Sequence, residues 1–401
     1  MTWNQRFAKS TGLMRRTAVR ELLKLTSQPG IISFAGGLPS ADLFPMDQVR
    51  EATATVLDSV GAQSLQYAET EGVGALRDWL AQRFSRSIHQ LSRQNILITS
   101  GAQQALDLIG RVFLDEGDPV LLENPTYLAL LSAWRPLGTR FLPIRSDAQG
   151  MCVEEIEEYL GEKPKLAYLV PNFQNPQGTT LSLERRNRLV ALLHERDLVV
   201  VEDNPYGDIR FENQPLPDLL ELDLASNGGD SGQGRVIHVG TFSKILMPGL
   251  RVGWVVAPPA VIEKLVQAKQ AADLHTNTLG QHLALELVRS GLLHHHLPML
   301  RRAYRQRRDA MLAALRKHFP ADSSWTSPEG GLFLMLTLPM DLNSRLLLPE
   351  AIENGVAFVP GEEFHLDGAG ANTLRLNFSC PDPAQIDEGI ARLARVALAP
   401  C

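Results

Sequence analysis

The chain has 401 residues, of which 44% are hydrophobic and 21% are charged, and its formal net charge is −6. These proportions are typical of a folded globular protein and exclude disorder over most of the chain. The acidic balance argues against a nucleic-acid partner, and no apolar run approaches the ~20 residues that a transmembrane helix needs. We therefore expect neither nucleic acid nor membrane as a partner, and two or three domains.

The cysteine and histidine positions do not suggest a metal site. Cys152, Cys380 and Cys401 are widely spaced and form neither a zinc motif nor a disulfide framework. The run His294–His296 points around a helix, because adjacent helical residues do not share a face. We predict no metal. Residues 1–10 lack the apolar stretch of a secretory signal, so we expect a cytoplasmic location.

The N-terminal part is predicted to consist of helices around one loop that is rich in glycine and proline. Residues 14–27 show helical periodicity, and the segment ISFAGGLPSADLFP after them is predicted to be a loop. Two further helices are expected over 47–60 and 72–88.

From residue 95 onward, short runs rich in Val, Ile and Leu alternate with amphipathic helices. Because these runs are apolar throughout, each is expected to be buried on both faces of a sheet. Helices between them are typical of an α/β domain with a parallel sheet. The predicted strands are 95–100, 118–124, 165–171, 197–203, 235–240 and 253–259.

The pattern changes after about residue 280. Long helices there lead to short predicted strands at 331–339, 356–361 and 372–379, and a final helix over 383–398. This order predicts a smaller α+β domain, with the boundary inside Leu279–Gly291. We divide the chain into an N-terminal segment over 1–45, a large domain over 46–285 and a small domain over 286–401.

Unusual side chains follow the predicted strands, at the edge where a parallel sheet binds its ligands. Each has an ordinary explanation on its own, such as a tight turn, a capping aspartate or a lysine whose ammonium reaches solvent. Together they match the requirements of pyridoxal phosphate, which needs a lysine for a Schiff base, a carboxylate for its pyridine nitrogen and a phosphate site. They are Ser100–Gln104, Tyr127, Asn175, Asp203, Lys244 and Arg251.

Six motifs are specific in combination: TSGAQQAL, ENPTY, PNFQNPQG, VEDNPYGD, GTFSKILMPGLRVGW and NTLRLNFS. With them the chain resembles the fold-type I pyridoxal-phosphate enzymes and, within these, the class I/II aminotransferases, from about Ile31 to the C-terminal helix. The resemblance implies an aspartate-aminotransferase-like α/β fold. Its large domain would hold a mostly parallel seven-stranded sheet flanked by helices, beside a smaller α+β domain.

The resemblance also implies roles for residues around the cofactor ring. Lys244 would form the Schiff base and later carry a proton, and Asp203 would pair with the pyridine nitrogen. Asn175 and Tyr206 would bind the ring 3′-oxygen, and Tyr127 would stack on the ring face. A protonated ring withdraws electrons and so stabilises the carbanion formed at Cα.

The phosphate and the second subunit are assigned in the same way. Tyr67 is similar to a tyrosine that reaches the phosphate of the neighbouring subunit, which implies an obligate homodimer with shared active sites. In the same chain, the phosphate cup would be formed by Gly101, Ala102, Gln103, Thr241, Ser243 and Arg251.

Substrate binding is assigned to a strand and to the N-terminal segment. Arg375 would bind the substrate α-carboxylate bidentately with Asn175 nearby, and Gly37 would let the N-terminal loop approach the substrate as part of a lid. Arg20 is the candidate for meeting a side-chain carboxylate. Arg15 and Arg16 compete with it, and a solvated helix arginine is the ordinary alternative.

These assignments predict a ping-pong aminotransferase that moves the amino group of an L-amino acid to a 2-oxo acid such as 2-oxoglutarate. Acidic, aromatic and aliphatic donors stay open, 2-aminoadipate among them, since the loop SFAGGLPSADLFP resembles the 2-aminoadipate and broad-specificity kynurenine aminotransferase subgroup. β-Elimination or racemisation on the same cofactor is the alternative. The loop also resembles the aminotransferase-like, effector-sensing half of certain winged-helix regulators. Those regulators carry an N-terminal DNA-binding domain, and we expect the roughly thirty residues before the loop to be too few for it.

Overall fold

The computed structural model describes residues 2–14, 30–86 and 90–398. Residues 15–27 of the first predicted helix, with Arg15, Arg16 and Arg20, lie outside these ranges. The described strands are β1 (Ile32–Ser33), β2 (Ile96–Thr99), β3 (Pro119–Asn124), β4 (Arg140–Asp147), β5 (Gly150–Met151), β6 (Leu166–Leu169), β7 (Val199–Asp203), β8 (Val236–Thr241), β9 (Gly253–Val256), β10 (Ser324–Trp325), β11 (Phe333–Thr337), β12 (Val356–Ala357), β13 (Val359–Pro360) and β14 (Thr373–Asn377).

Helices occupy most of the chain between these strands. They are α1 (Met46–Ser64), α2 (Gly74–Phe84), α3 (Ala102–Phe113), α4 (Leu128–Trp134), α5 (Ile156–Tyr159), α6 (Leu183–Arg196), α7 (Leu219–Ser226), α8 (Pro259–Ala272), α9 (Thr278–Arg289), α10 (Leu292–His318), α11 (Ser344–Glu353) and α12 (Pro383–Ala397).

The central sheet has the order β2-β9-β8-β7-β6-β3-β4-β5, which is eight strands in the described part of the chain. Strands β4, β3, β6, β7 and β8 run parallel, while β9 is antiparallel to both of its neighbours. The sheet has one strand more than the predicted seven. The extra strand is β5, whose two residues pair with the end of β4 and are too few for any periodicity to show.

The six predicted strands of this sheet are all present, and their apolar character has the expected cause. Strands β6 and β8 are buried at every position, so both faces are covered. Helix α3 packs against β8 and β9, and α7 packs against β8. The core beside these strands includes the fully buried side chains Trp134, Tyr168 and Phe242.

Strand β4 was not predicted, because its sequence RFLPIRSD contains Pro143 and three charged residues. Strand β4 pairs along its length with β3 on one side, whereas on the other side the two-residue β5 pairs only with the end of β4. A proline and exposed charges are tolerated at such an edge, where a strand lacks a full second partner. The sequence pattern therefore misses edge strands more easily than central ones.

A second sheet, β10-β11-β14-β13, lies in the C-terminal part and is antiparallel. The predicted strand 356–361 is divided: β13 joins this sheet, whereas β12 pairs in parallel with β1. The start of the N-terminal loop lies beside β14, because β1 pairs with β12 and the Asn377 N–H donates to the carbonyl of Phe34 at 2.9 Å. Gly291 has a φ of 78° between α9 and α10, within the predicted boundary region, and the domain limits themselves stay a prediction.

Among the described helices, none combines the length and the apolar composition required to cross a bilayer.

Candidate active site

The candidate site lies where the parallel strands end. Strands β3, β6, β7 and β8 run in one direction, so the residues after them meet at one edge of the sheet. Tyr127, Asn175, Asp203 and Lys244 are brought together there, as predicted. Arg375 reaches the same place from β14 of the second sheet, where it binds Asn175.

Asp203 is the last residue of β7 and is only 2% exposed. Its Oδ2 accepts a hydrogen bond of 2.8 Å from the hydroxyl of Tyr168, on the neighbouring strand β6. Its Oδ1 is buried and has no partner among the described residues. Burial raises the pKa of Asp203 to about 6, because the charged carboxylate loses its hydration.

Lys244 is partly buried in the turn after β8. Its Nζ donates a hydrogen bond of 2.8 Å to the backbone carbonyl of Gly37. Burial lowers the pKa of Lys244 to about 8, and the positive charges of Arg375 and Arg251 act in the same direction. A substantial fraction of this amine is therefore neutral just above physiological pH, which a nucleophilic lysine requires.

Arg375 is 3% exposed and lies over the ring of Phe333, at 4.4 Å from the ring centroid. Its Nη1 donates to Asn175 Oδ1 at 2.9 Å, and its Nη2 donates to the carbonyl of Ala35 at 2.6 Å. Its Nε is buried and has no partner within the described chain. Burial lowers the pKa of Arg375 to about 10, so the guanidinium still carries its charge at neutral pH.

Residues 35–38 of the N-terminal loop lie across the site with their backbone carbonyl groups accepting hydrogen bonds. The side-chain donors are, in order, Arg375, Asn377, Lys244 and Ser379. The loop is thus tied both to β14 and to the lysine. A Cβ added at Gly37 would meet Phe333 at 3.6 Å, an ordinary contact, so the space at this position does not require a glycine. The contribution of Gly37 to the site is its carbonyl, which accepts the hydrogen bond from Lys244.

Two tyrosines complete this end of the site. Tyr206 is 4% exposed, bonds to Asn175 and meets Phe333 edge-on at 5.9 Å between ring centroids. Burial raises its pKa far above the usual range. Burial and then the charge of Asp203 raise the pKa of Tyr127 to about 12. Both phenols therefore stay protonated and can donate hydrogen bonds.

At the other end, a tight turn precedes helix α3. Gly101 has a φ of 80°, and an added Cβ would lie 2.5 Å from Arg251 Nη2. Arg251 Nη2 donates to the carbonyl of Ser100 at 3.0 Å, so the guanidinium lies against the turn. Helix N-termini with free backbone N–H groups and a nearby arginine form an anion site.

Two hydroxyl groups lie at the end of β8 and in the turn after it, where Thr241 Oγ1 donates to Ser243 Oγ at 2.9 Å. The side chain of Gln103 instead donates to the carbonyl of Ala129, so only the backbone of Gln103 can face an anion at the turn. Tyr67 lies at the surface, where it is 78% exposed and edge-on to the ring of His275.

Comparison with known proteins now decides the family. Residues 30–393 match the family model of class I and II aminotransferases. The chain belongs to this family. The predicted fold class, the pyridoxal phosphate cofactor and the transaminase activity are thereby confirmed, so the protein is a pyridoxal-phosphate-dependent aminotransferase acting on amino acids.

Individual relatives of the aminotransferase cover nearly its whole length. It is 45% identical to 2-aminoadipate transaminase of Thermus thermophilus, over 98% of this chain and 97% of that protein. It is 43% identical to aromatic-amino-acid aminotransferase 1 of Thermococcus litoralis, over 98% and 94%. A crystal structure of the Thermus thermophilus α-aminoadipate aminotransferase with N-(5′-phosphopyridoxyl)-L-leucine is similar at a TM-score of 0.92 and 43% identity, covering 99% and 98%.

The residues of the site fit pyridoxal phosphate. Within the described ranges, Oδ1 of Asp203 has no partner and is an acceptor suited to a protonated pyridine nitrogen, and Lys244 Nζ donates to a neutral carbonyl. The turn at Gly101 offers the anion site that a phosphate needs. This aminotransferase therefore has residues suited to the pyridine ring of the cofactor, Asp203 and Lys244, and a turn suited to its phosphate, at Gly101.

Sequence reasoning missed Tyr168, the donor to Asp203, and the aromatic ring of Phe333 beneath Arg375. A hydroxyl in an otherwise apolar strand was the available signal for Tyr168, since a buried tyrosine normally finds a partner. Phe333 gave no signal, because one more apolar residue in a strand is ordinary. Arg20 lies outside the described residues, and its role stays a prediction.

Proposed function

We propose that Lys244, Asp203 and Arg375 carry the transamination, at sites that two subunits share. The observation that supports this most directly is that the three lie close together: burial and then the charge of Arg375 lower the pKa of Lys244 to about 8, and burial raises the pKa of Asp203 to about 6. Titratable groups with pKa values moved toward neutrality are concentrated at sites of proton transfer.

Arg375 binds the α-carboxylate of the amino acid. Its Nε, which has no partner among the residues that the structure describes, forms with the two outer nitrogens a planar fork that matches a carboxylate. Its pKa of about 10 keeps the charge in place, and the surrounding aromatic rings exclude water, which strengthens the ion pair. Bound in this way, the substrate presents its Cα toward Lys244.

Lys244 carries the proton. With a pKa of about 8, its neutral Nζ can take the proton from the Cα of the bound amino acid and return it during the second half-reaction. Pyridoxal phosphate, when bound, supplies the electron sink that makes this Cα proton removable. Asp203 would hold the pyridine nitrogen in its protonated form, and the hydroxyl of Tyr168 holds Asp203 in place.

The ring would be oriented by Tyr127, Asn175 and Tyr206. The phosphate would be held by Arg251 and the turn at Gly101, together with Ala102, the Gln103 backbone and the hydroxyls of Thr241 and Ser243. Support comes from their position at one sheet edge and from the hydrogen bond between Asn175 and Tyr206. Asn175 thereby contacts both the ring partner Tyr206 and the carboxylate partner Arg375, so it aligns cofactor with substrate.

We propose donors with acidic, aromatic or aliphatic side chains, with 2-aminoadipate among them, and 2-oxoglutarate as the acceptor. The 2-aminoadipate and aromatic relatives support this range. Arg20 is the proposed contact for a side-chain carboxylate, and a cytoplasmic location remains a prediction.

A half-reaction experiment separates transamination from β-elimination and racemisation. The holoenzyme is mixed with L-glutamate without any acceptor, and the cofactor spectrum is followed together with the release of 2-oxoglutarate. We expect one equivalent of 2-oxoglutarate per site and full conversion of the cofactor to its amine form. A panel of donors tested in the same way ranks the side chains. No conversion with any donor would reject transamination.

We further propose a homodimer in which Tyr67 serves the phosphate of the partner's site. The 78% exposure of Tyr67 supports this, since an aromatic side chain so exposed in one chain is available to a second. Mixing Lys244→Ala and Tyr67→Ala subunits tests it. If Tyr67 acts across the interface, each mixed dimer regains one complete site, and activity rises above that of both parents. No gain on mixing would place Tyr67 outside the partner's site.

A further inference from the structure

A lysine is fully buried behind the Ser100–Gly101 turn, which precedes helix α3. Lys269, on α8, is 0% exposed, although lysine is among the residues least often buried. Its Nζ donates to both carboxylate oxygens of Asp273, at 2.7 and 2.8 Å, and to Gln104 Oε1 at 2.9 Å. Desolvation of an ammonium is costly, so such a group persists only where its bonds are well made.

These bonds lead directly to Ser100, the residue before Gly101. The Ser100 N–H donates to Gln104 Oε1 at 2.8 Å, and Ser100 Oγ donates to Asp273 Oδ2 at 3.0 Å. The Ser100 carbonyl accepts from Arg251 at 3.0 Å. Every polar group of Ser100 is therefore held, two of them by the partners of Lys269 and one by Arg251.

We propose that Lys269 is a positioning residue for the cofactor phosphate. Its ammonium orients Gln104 and Asp273, which hold the Ser100–Gly101 turn against Arg251 in the geometry that the phosphate requires. The inference rests on the phosphate site proposed above. Because Asp273 compensates its charge, Lys269 acts through geometry rather than by attracting the anion.

The exposure of Asp273 explains why this geometry depends on the lysine. The Asp273 side chain is 26% exposed, so without its cation it can turn toward water. Gln104 Nε2 and Ser100 Oγ would then lose their common acceptor, since both donate to Asp273 Oδ2. The turn would lose its fixed geometry although no phosphate-contacting residue had changed.

The test compares pyridoxal phosphate with pyridoxal, which lacks the phosphate, in equilibrium binding to the apoenzyme. For Lys269→Met we expect the Kd of pyridoxal phosphate to rise about tenfold, the effect of roughly one lost hydrogen bond to a charged group, and the Kd of pyridoxal to change less than about twofold. Lys264→Met is the matched control, because Lys264 is exposed on the same helix. It should change neither value.

Equal weakening of both ligands by Lys269→Met would show a merely structural role and overturn the inference, as would an unchanged preference for the phosphorylated form. Arg251→Ala separates this failure from failure of the phosphate site itself, since it should reduce that preference in any case. If Arg251→Ala leaves it intact, the proposed site is wrong. Should Lys269→Met not fold, Gln104→Leu removes the acceptor of the Ser100 N–H and must give the same selective loss.

Discussion

The two ends of the active site hold charge in different ways. At the phosphate end, Arg251 is exposed and lies against a glycine turn whose backbone conformation does most of the shaping. At the other end, Asp203 and Arg375 are buried and Lys244 is partly buried, and burial moves their pKa values to about 6, 10 and 8. The phosphate end therefore depends on backbone geometry, whereas the other end depends on the desolvation of its charged groups.

This difference corresponds to what each end does. A phosphate must stay bound through both half-reactions, which suits a permanent cation and fixed N–H groups. Proton transfer needs groups that are able to change charge near neutral pH, and burial provides them. Substitutions should therefore separate the two ends: one set should abolish chemistry and retain the cofactor, and the other should weaken cofactor binding and leave chemistry nearly intact.

The largest effect is expected for Lys244→Ala. Removing the group that accepts the Cα proton should slow the half-reaction with L-glutamate by about 10³-fold or more. The cofactor's lysine-bound absorbance band should disappear, while dialysis should leave part of the cofactor on the protein through the phosphate end. Lys264→Ala, on an exposed position, is the control. Complete loss of cofactor from Lys244→Ala would contradict the separation of the two ends.

Asp203→Asn should have the next largest effect. It keeps the shape of the side chain but removes the charge that holds the pyridine nitrogen protonated, so the half-reaction should slow by about 10²–10³-fold. Single-turnover spectroscopy measures this directly. Tyr168→Phe removes only the 2.8 Å hydrogen bond to Asp203 and should cost much less. A Tyr168→Phe enzyme as slow as Asp203→Asn would mean that the hydroxyl itself takes part in the chemistry.

Arg375→Lys tests the geometry of substrate binding. A lysine keeps the positive charge but loses the fork, so we expect kcat/KM to fall by about 10–100-fold, mostly through KM. Steady-state kinetics with several amino donors give both constants. Arg302→Lys, at an exposed position of α10, provides the comparison. If kcat fell and KM did not, Arg375 would act on the transition state rather than on binding.

The pH dependence of cofactor capture checks the pKa of Lys244. Only the neutral amine reacts with the aldehyde, and its lowered pKa of about 8 means that the neutral fraction rises steeply below that pH and levels off about one pH unit above it. The rate of apoenzyme reconstitution should therefore increase about tenfold from pH 7 to pH 9, whereas an ordinary lysine would give about a hundredfold. Stopped-flow absorbance with pyridoxal distinguishes the two without titration of the phosphate.

Much of the site followed from local sequence. Each central strand is an apolar run, and the parallel topology places the residues at and just after its end at the ligand edge, so the positions of Asp203 and Lys244 follow from the sequence. Contacts between segments that are distant in the sequence could not be predicted in this way. The carbonyl of Ala35 reaches Arg375 because β1 pairs with β12. This pairing spans only two residues, a length too short for the sequence to show any periodicity. Lys269 gave no signal in the sequence, because an i,i+4 pair with Asp273 is ordinary for a helix and its other partner, Gln104, lies on α3.

The smallest effect concerns the phosphate end, where Gly101→Ala should weaken binding and leave chemistry nearly unchanged. The new Cβ would lie 2.5 Å from Arg251 Nη2 at a φ of 80°, so the arginine must move. We expect the Kd of pyridoxal phosphate to rise by about tenfold or less, and kcat at saturating cofactor to stay within about twofold.

Gly117→Ala is the matched control, because Gly117 also has a positive φ, of 90°, but an added Cβ would meet no atom within 4 Å. It reports the cost of backbone strain alone, so any excess loss in Gly101→Ala measures the displacement of Arg251. If both variants bound the cofactor equally, the contact between the turn and Arg251 would not matter for the phosphate. The contrast between a geometric end and a desolvated end would then have to be abandoned.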